Sequence, residues 1–188
     1  MASRSGGSRE PSTPTLPALN FSKTMPTGAL TVLFLSDRNA ASSLIAEAVL
    51  RVEGNGRFRA CSAGLAPASD VDADVVNFLA TRHVPVSGLR PKGVRELETL
   101  YPDGFHFVIT LSRAAASFAD GHTWRGDPVT ADWALDAEPR EAEAEGSSGA
   151  IRDAFWTLSR RIRIFASLPH RKATRHSLQN KLYALQTV

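Results

Sequence analysis

Eight consecutive residues of this 188-residue chain, Ser36-Asp37-Arg38-Asn39-Ala40-Ala41-Ser42-Ser43, gather three hydroxyls, an amide, a carboxylate and a guanidinium into one short loop. An unbroken apolar run, LTVLFL at residues 30–35, leads into it, and LIAEAVLRVE follows. A strand feeding a loop of small polar residues that opens a helix is an anion-binding architecture. The first N–H groups of such a helix lack intrahelical acceptors and sit at the positive end of its dipole. Asn39, Ser42 and Ser43 can add hydrogen bonds, Arg38 is the nearest cation, and Asp37 opposes a bound anion. The other reactive side chains are sparse. Cys61 is the only cysteine, which excludes an intrachain disulfide and any paired-cysteine zinc or redox motif. The five histidines, His83, His106, His122, His170 and His176, share no metal-ligand spacing, so neither a metal nor a cofactor is expected.

The elements that position this loop read as an alternation of strands and helices. Residues 30–35 have the continuous apolar character of a parallel strand covered on both faces. A helix over about 43–53 places Leu44, Ile45, Ala48, Val49 and Val52 on one side and stops at Gly54-Asn55-Gly56. A second strand is expected at 58–62, broken by Ser62-Ala63-Gly64. A helix over 71–82 follows, with Val75, Val76, Phe78 and Leu79 inward, and then a short helix near 94–100. Residues 105–111 read as the third strand, and the acidic, Gly- and Ser-containing stretch to Gly149 as loop. A long helix at 151–167 carries Ile151, Phe155, Leu158, Ile162 and Phe165 at helical spacing, and a last helix spans about 174–185. The alternation implies a parallel α/β sheet with right-handed crossovers. Residues 1–28, rich in Ser, Pro, Thr and Gly, read as a disordered leader, and residues 29–188 as one domain. The Arg and Ser content of the leader also suggests an organellar transit segment, which Glu10 and the prolines argue against.

A hydrophobic content of 43% suits a packed core, and no run has the length of a membrane span. The formal charge of +3 is unevenly spread. Asp127, Asp132, Asp136, Glu138, Glu141, Glu143 and Glu145 face only Arg140, whereas Arg152, Arg160, Arg161, Arg163, Arg171, Lys172, Arg175 and Lys181 face only Asp153. Such asymmetry can mark a nucleic-acid surface. With no recognised motif beside it, a solvated basic helix face is the preferred reading. A single cysteine and no signal-type apolar core fit the cytoplasm.

In context, VLFLSDRNAASSLIAEAVL resembles the signature VLFLCTGNSxRSxxAEA of the low-molecular-weight protein tyrosine phosphatases and the arsenate reductases related to them. GRFRACSAGLAP is similar to the family's second strand and Ser-Ala-Gly turn, and FHFVITLSRAAA to its third-strand segment FDFVFTVCDNAA. HTWRGDPVTADWALDAEP is similar to the arsenate-reductase-like stretch CPVWPGQPMTAHWGIPDPA, and SLQNKL to that subgroup's last helix. The likeness covers about residues 30–188 and implies a three-layer sandwich around roughly four parallel strands.

The same resemblance assigns roles and shows them degraded. The nucleophilic Cys position is Ser36, the oxyanion-holding Arg position is Ser42, and the loop Gly position is Arg38. Ser43 keeps the supporting hydroxyl, and Asn39 keeps the residue that pins the loop backbone. The general acid, an Asp before Pro in the family, corresponds to Asp136 or Glu138 in Asp136-Ala137-Glu138-Pro139. A reductase thiol after the third strand becomes Ser112. Cys61, Trp124 and Trp133 read as packing residues. An alcohol at Ser36 needs an adjacent base to act as a nucleophile, and Asp37 is the candidate. The expectation is a catalytically impaired or inactive homologue that acts by binding or regulation, with a phosphate-like anion or a protein as partner. The alternative is an active phosphatase or arsenate reductase with a rearranged Ser36/Asp37/Arg38 site.

Overall fold

The computed structural model describes residues 28–135, 147–170 and 173–188. The leader expected at 1–28, apart from its last residue, lies outside these residues. So do Asp136, Glu138, most of the acidic stretch, Arg171 and Lys172.

Four strands, β1 (Leu30–Ser36), β2 (Phe58–Gly64), β3 (Phe107–Thr110) and β4 (Val129–Asp132), form one parallel sheet in the order β2-β1-β3-β4. The helices are α1 (Ser42–Glu53), α2 (Ala73–Thr81), α3 (Val94–Leu100), α4 (Arg113–Gly121), α5 (Ser147–Ser167) and α6 (Arg175–Ala184), with a closing 3-10 turn at Leu185–Thr187. Because β1 is central, Val32, Leu33, Phe34 and Leu35 are fully buried, and strand periodicity sends them alternately to two cores. Val32 and Phe34 join Ile45 and Val49 of α1, Leu79 of α2 and Ile162 and Phe165 of α5. Leu33 and Leu35 join Cys61, Val108, Leu97 of α3 and Ala115 of α4. The result is the expected three-layer sandwich with four parallel strands.

Several boundaries differ from the sequence reading. The second strand is not broken at Ser62-Ala63-Gly64, because these residues continue the ladder opposite Phe34, Leu35 and Ser36. The acidic stretch read as loop up to Gly149 holds β4 and the start of α5, and α4 precedes it in a segment for which no element was expected. α4 is short and its buried positions, Ala115 and Ala119, are small residues of weak apolar character, and β4 (VTAD) is four residues long and ends on a charge. The third strand is shorter than 105–111, and α2 starts at Ala73 because Asp72 caps it, accepting from Asp74 N. Val52 is 50% exposed rather than inward, whereas the five apolar residues expected on α5 are all buried.

β4 lies at a sheet edge and α6 packs beside it. Arg175 donates to the carbonyls of Asp127 and Pro128, Gln179 to that of Thr130, and the buried Trp133 donates from Nε1 to Leu182 O at 3.0 Å. Arg161, one of the basic residues noted in the sequence, is buried and donates to the carbonyls of Trp133, Gln186 and Val188. Its charge serves the fold and not a surface.

Candidate functional site

Since β2 follows β1 on one side and β3 lies on the other, the chain reverses direction across the sheet at the carboxyl ends of β1 and β3. Open α/β sheets bind ligands in that crevice. The loop 36–41 occupies it and leads into α1. Its carbonyls turn away from the crevice to a neighbouring segment: Ser36 O accepts from Leu65 N (3.1 Å), Asp37 O from Ala66 N (2.8 Å) and Arg38 O from Ala68 N (2.8 Å). Gly64 permits this approach, since a Cβ there would lie 2.8 Å from Arg38 C and 2.9 Å from Asn39 N. Ala41 caps α1 without a side-chain hydrogen bond, so a helix N-terminus remains at the loop.

Behind the loop lies a polar network with a fixed direction. Asn39, fully buried and at φ 49°, accepts at Oδ1 from Lys92 N (2.8 Å), which orients its amide. Nδ2 must then donate, and it does so to Ser43 Oγ (2.9 Å) and Ser62 Oγ (2.8 Å). Ser62 in turn donates its hydroxyl hydrogen bond to the Glu47 carboxylate. Glu47, 1% exposed, is further answered by Lys92 Nζ at 3.1 Å and by Arg51. A buried carboxylate needs such pairing, because charge taken out of water without compensation is strongly disfavoured. Asn39 thereby ties the loop to the backbone of Lys92 and to the Ser43 and Ser62 hydroxyls.

The chemical positions are arranged less favourably. Ser36 Oγ meets Ser43 Oγ at 2.8 Å and accepts from Asn39 N at 3.2 Å. Among the described residues, no carboxylate, imidazole or amine hydrogen-bonds to it. Asp37, the candidate base, accepts instead from Ser112 Oγ, across the crevice between the β1 and β3 loops. Ser112 is itself the N-cap of α4, accepting from Ala115 N. Glu47 cannot act as a distant base for Ser36, because the Asn39 amide donates in both directions and interrupts any hydroxyl relay. Ser42 is buried and Arg38 is exposed. The structure thus brings Ser36, Asn39, Ser42 and Ser43 together.

Cys61 is 3% exposed, on the sheet face away from α1, and its Sγ donates to Val32 O. Burial first, and the charge of Glu47 second, push its thiol well above the ordinary range, so it is a packing residue and not a nucleophile. Trp124 and Trp133 also pack: Trp124 stands edge-on to Phe105, and Trp133 is fully buried. His122 meets Glu98, and among the described residues no three His, Cys, Asp or Glu side chains are grouped to hold a metal ion. Sequence reasoning missed Glu47, Ser62 and Lys92. The one available signal was a charge inside the apolar run LIAEAVL, which a buried helix face accommodates only when its partners come from elsewhere in the fold.

The model of the family described as low molecular weight phosphotyrosine protein phosphatase matches residues 31–121, and β1 through α4 of this chain belong to that family. The thioredoxin-dependent arsenate reductase of Corynebacterium glutamicum is 25% identical, with a TM-score of 0.56 over 74% of this chain and 61% of that one. The chain therefore spans less than two thirds of that reductase. The low molecular weight protein tyrosine phosphatase of T. tengcongensis has a TM-score of 0.58 at 18% identity, over 74% of this chain and all (100%) of that one. The tyrosine phosphatase Wzb of Escherichia coli K30, solved in complex with sulphate, has a TM-score of 0.54 at 14% identity, over 72% and 95% of the two chains. These last two likenesses establish the fold alone. No curated protein sequence matches the chain. Among the described residues no helix is long and apolar enough to cross a membrane.

Proposed function

We propose that this chain is a catalytically impaired member of the phosphatase and arsenate reductase family that acts by binding, with the 36–43 loop as a weakened anion site. The observation that carries the reading is the surroundings of Ser36: a hydroxyl held by Ser43 and Asn39, with the adjacent Asp37 carboxylate engaged by Ser112. Helix N-terminal N–H groups can bring a thiol to its thiolate, but an alcohol ionises far less readily and needs a base. Ser42 stands where the family carries its Arg, so a bidentate, charged clamp is replaced by one neutral hydroxyl. Removing a single preorganised donor costs roughly 3–4 kcal/mol of transition-state stabilisation, before the lost charge is counted. The retained network behind the loop supports a preserved shape, and the remaining backbone N–H groups support binding of a phosphate-like anion or of a protein that presents one.

Hydrolysis of an aryl phosphate at neutral pH tests the reading. The expected rate is that of the buffer. Turnover well above buffer that disappears in Ser36→Ala would overturn it in favour of a working enzyme, and its loss in Asp37→Ala as well would make that carboxylate the base. Arsenate-dependent consumption of reduced thioredoxin or glutathione is likewise expected to be absent, since the only thiol, Cys61, is buried.

A further inference from the structure

On the α1, α2 and α5 side of the molecule, away from the loop, lies a recess of about 260 Å³. Val52, Val84, Phe155 and Trp156 give it an apolar lining, and Arg82, His83, Ser159 and the ion pair of Arg163 with Glu53 add polar groups, so that Arg82 is the lining arginine left to meet an acidic chain. Two of the few large apolar side chains that the fold leaves exposed, Trp156 at 52% and Val52 at 50%, are both here. The Arg82 guanidinium lies over the Trp156 ring at 5.3 Å and over Phe78 at 5.2 Å, with no carboxylate partner among the described residues. Arg152 and Arg160 continue the exposed face of α5 on either side of Trp156. Ser159 Oγ, in a residue 5% exposed, is buried with no hydrogen-bond partner among the described residues.

We propose that this recess is a docking surface for an acidic peptide segment carrying a large apolar side chain. Ligand pockets for whole small molecules run to roughly 300–1,000 Å³, so the recess is sized for one or two side chains rather than a complete drug-sized ligand. An aromatic wall with arginines at its rim is the composition of an interface anchor, and apolar exposure of this kind marks interaction sites. Charge complementarity selects the acidic partner: Arg82 and Arg160 offer cations to a carboxylate-rich chain passing over the anchor. A nucleic acid is a poorer fit. A phosphate backbone needs a row of uncompensated cations, and here Arg163 is paired with Glu53 at 3.1 Å and Arg152 with Asp153 at 3.3 Å. The inference is independent of the loop and of its chemistry.

Fluorescence anisotropy at low ionic strength, using the full chain and a short fluorescein-labelled peptide with one Phe among Glu and Asp, tests it. Saturable binding is expected, weakening with salt and falling at least about tenfold when Gln and Asn replace the acids. Trp156→Ala should lower affinity roughly 30-fold, the size of an interface hot spot. Arg82→Glu, at an exposed position that does not disturb packing in the core, should do so by at least about tenfold. Unchanged affinity in both variants would overturn the proposal. So would absence of saturable peptide binding, or a single-stranded oligonucleotide binding more tightly and losing affinity in the same two variants.

Discussion

The back and the mouth of the 36–43 loop have fared differently. At the back, Asn39, Ser43, Ser62, Glu47 and Lys92 form a buried network in which each donor has an acceptor and the one carboxylate has two cations. At the mouth, Ser36 faces another hydroxyl, Asp37 is tied to Ser112, and Arg38 extends to the surface. The loop is therefore held firmly from behind while its mouth offers hydroxyls, one engaged carboxylate and one exposed guanidinium. The difference teaches that loop geometry is enforced from behind, by groups that never meet a ligand, so substitutions at the mouth are cheap for folding while substitutions behind it are not.

The sharpest way to break this contrast is Lys92→Met. It leaves Glu47 buried with only the half-exposed Arg51, and removing one partner of a buried pair typically costs about 3–5 kcal/mol. Chemical denaturation should show a loss of that order. A loss below about 1 kcal/mol would mean the network is not what holds the loop.

Rebuilding the mouth sharpens the contrast from the other side. Ser36→Cys alone should yield a reactive thiol but little phosphatase activity, because the oxyanion still lacks its guanidinium. Adding Ser42→Arg and Arg38→Gly should give measurable phosphate affinity, with a gain of about 1.5–3 kcal/mol for each charge-assisted hydrogen bond formed, and Asp37→Thr should strengthen it further. Calorimetric titration with phosphate reads this directly. Equal phosphate affinity in the unmodified and rebuilt chains would show that the mouth has not decayed.

A smaller effect belongs to the far end of the sheet. His170 packs against the rings of Phe58, Phe107 and Phe165, with Nε2 on Phe165 O at 2.7 Å and Nδ1 buried without a partner among the described residues. Burial lowers its pKa, more than the Phe165 carbonyl raises it. The unfolded chain therefore binds the proton first as pH falls below about 6.5, the ordinary histidine value. Stability is complete above that pH and declines below it, by at most about 1.4 kcal/mol per pH unit for one proton. His170→Phe should flatten that part of the stability-versus-pH curve.

Smallest of all is Ser36→Ala, expected to cost about 1 kcal/mol for the hydrogen bonds with Ser43 and Asn39 while leaving the fold intact. A thermal unfolding comparison with Lys92→Met places the two regions on one scale.

The sheet was legible where strands are apolar on both faces, as in β1, and α5 was legible because its buried residues recur at helical spacing. α4 and β4 were not, since the inward side of α4 is made of alanines that barely stand out from a polar stretch and a four-residue strand ending in Asp132 reads as loop. At the site, the eight loop residues could be singled out from spacing and resemblance. Lys92 could not be found, because it reaches Glu47 only through the pairing that brings Gly64 beside Gly93. Asp136 and Glu138, the candidates for the general acid, lie outside the described residues.

α6 carries a consequence for solubility. β4 is an edge strand, and a bare edge is a template for pairing with another chain. Arg175 and Gln179 occupy the carbonyls of Pro128 and Thr130, so α6 denies that edge to a second molecule. A chain cut before Thr174 would lose Leu178, Leu182 and Leu185 from the main core and the carbonyl partner of Trp133 at the same time as it bared the strand, so edge protection and core closure are supplied by one element.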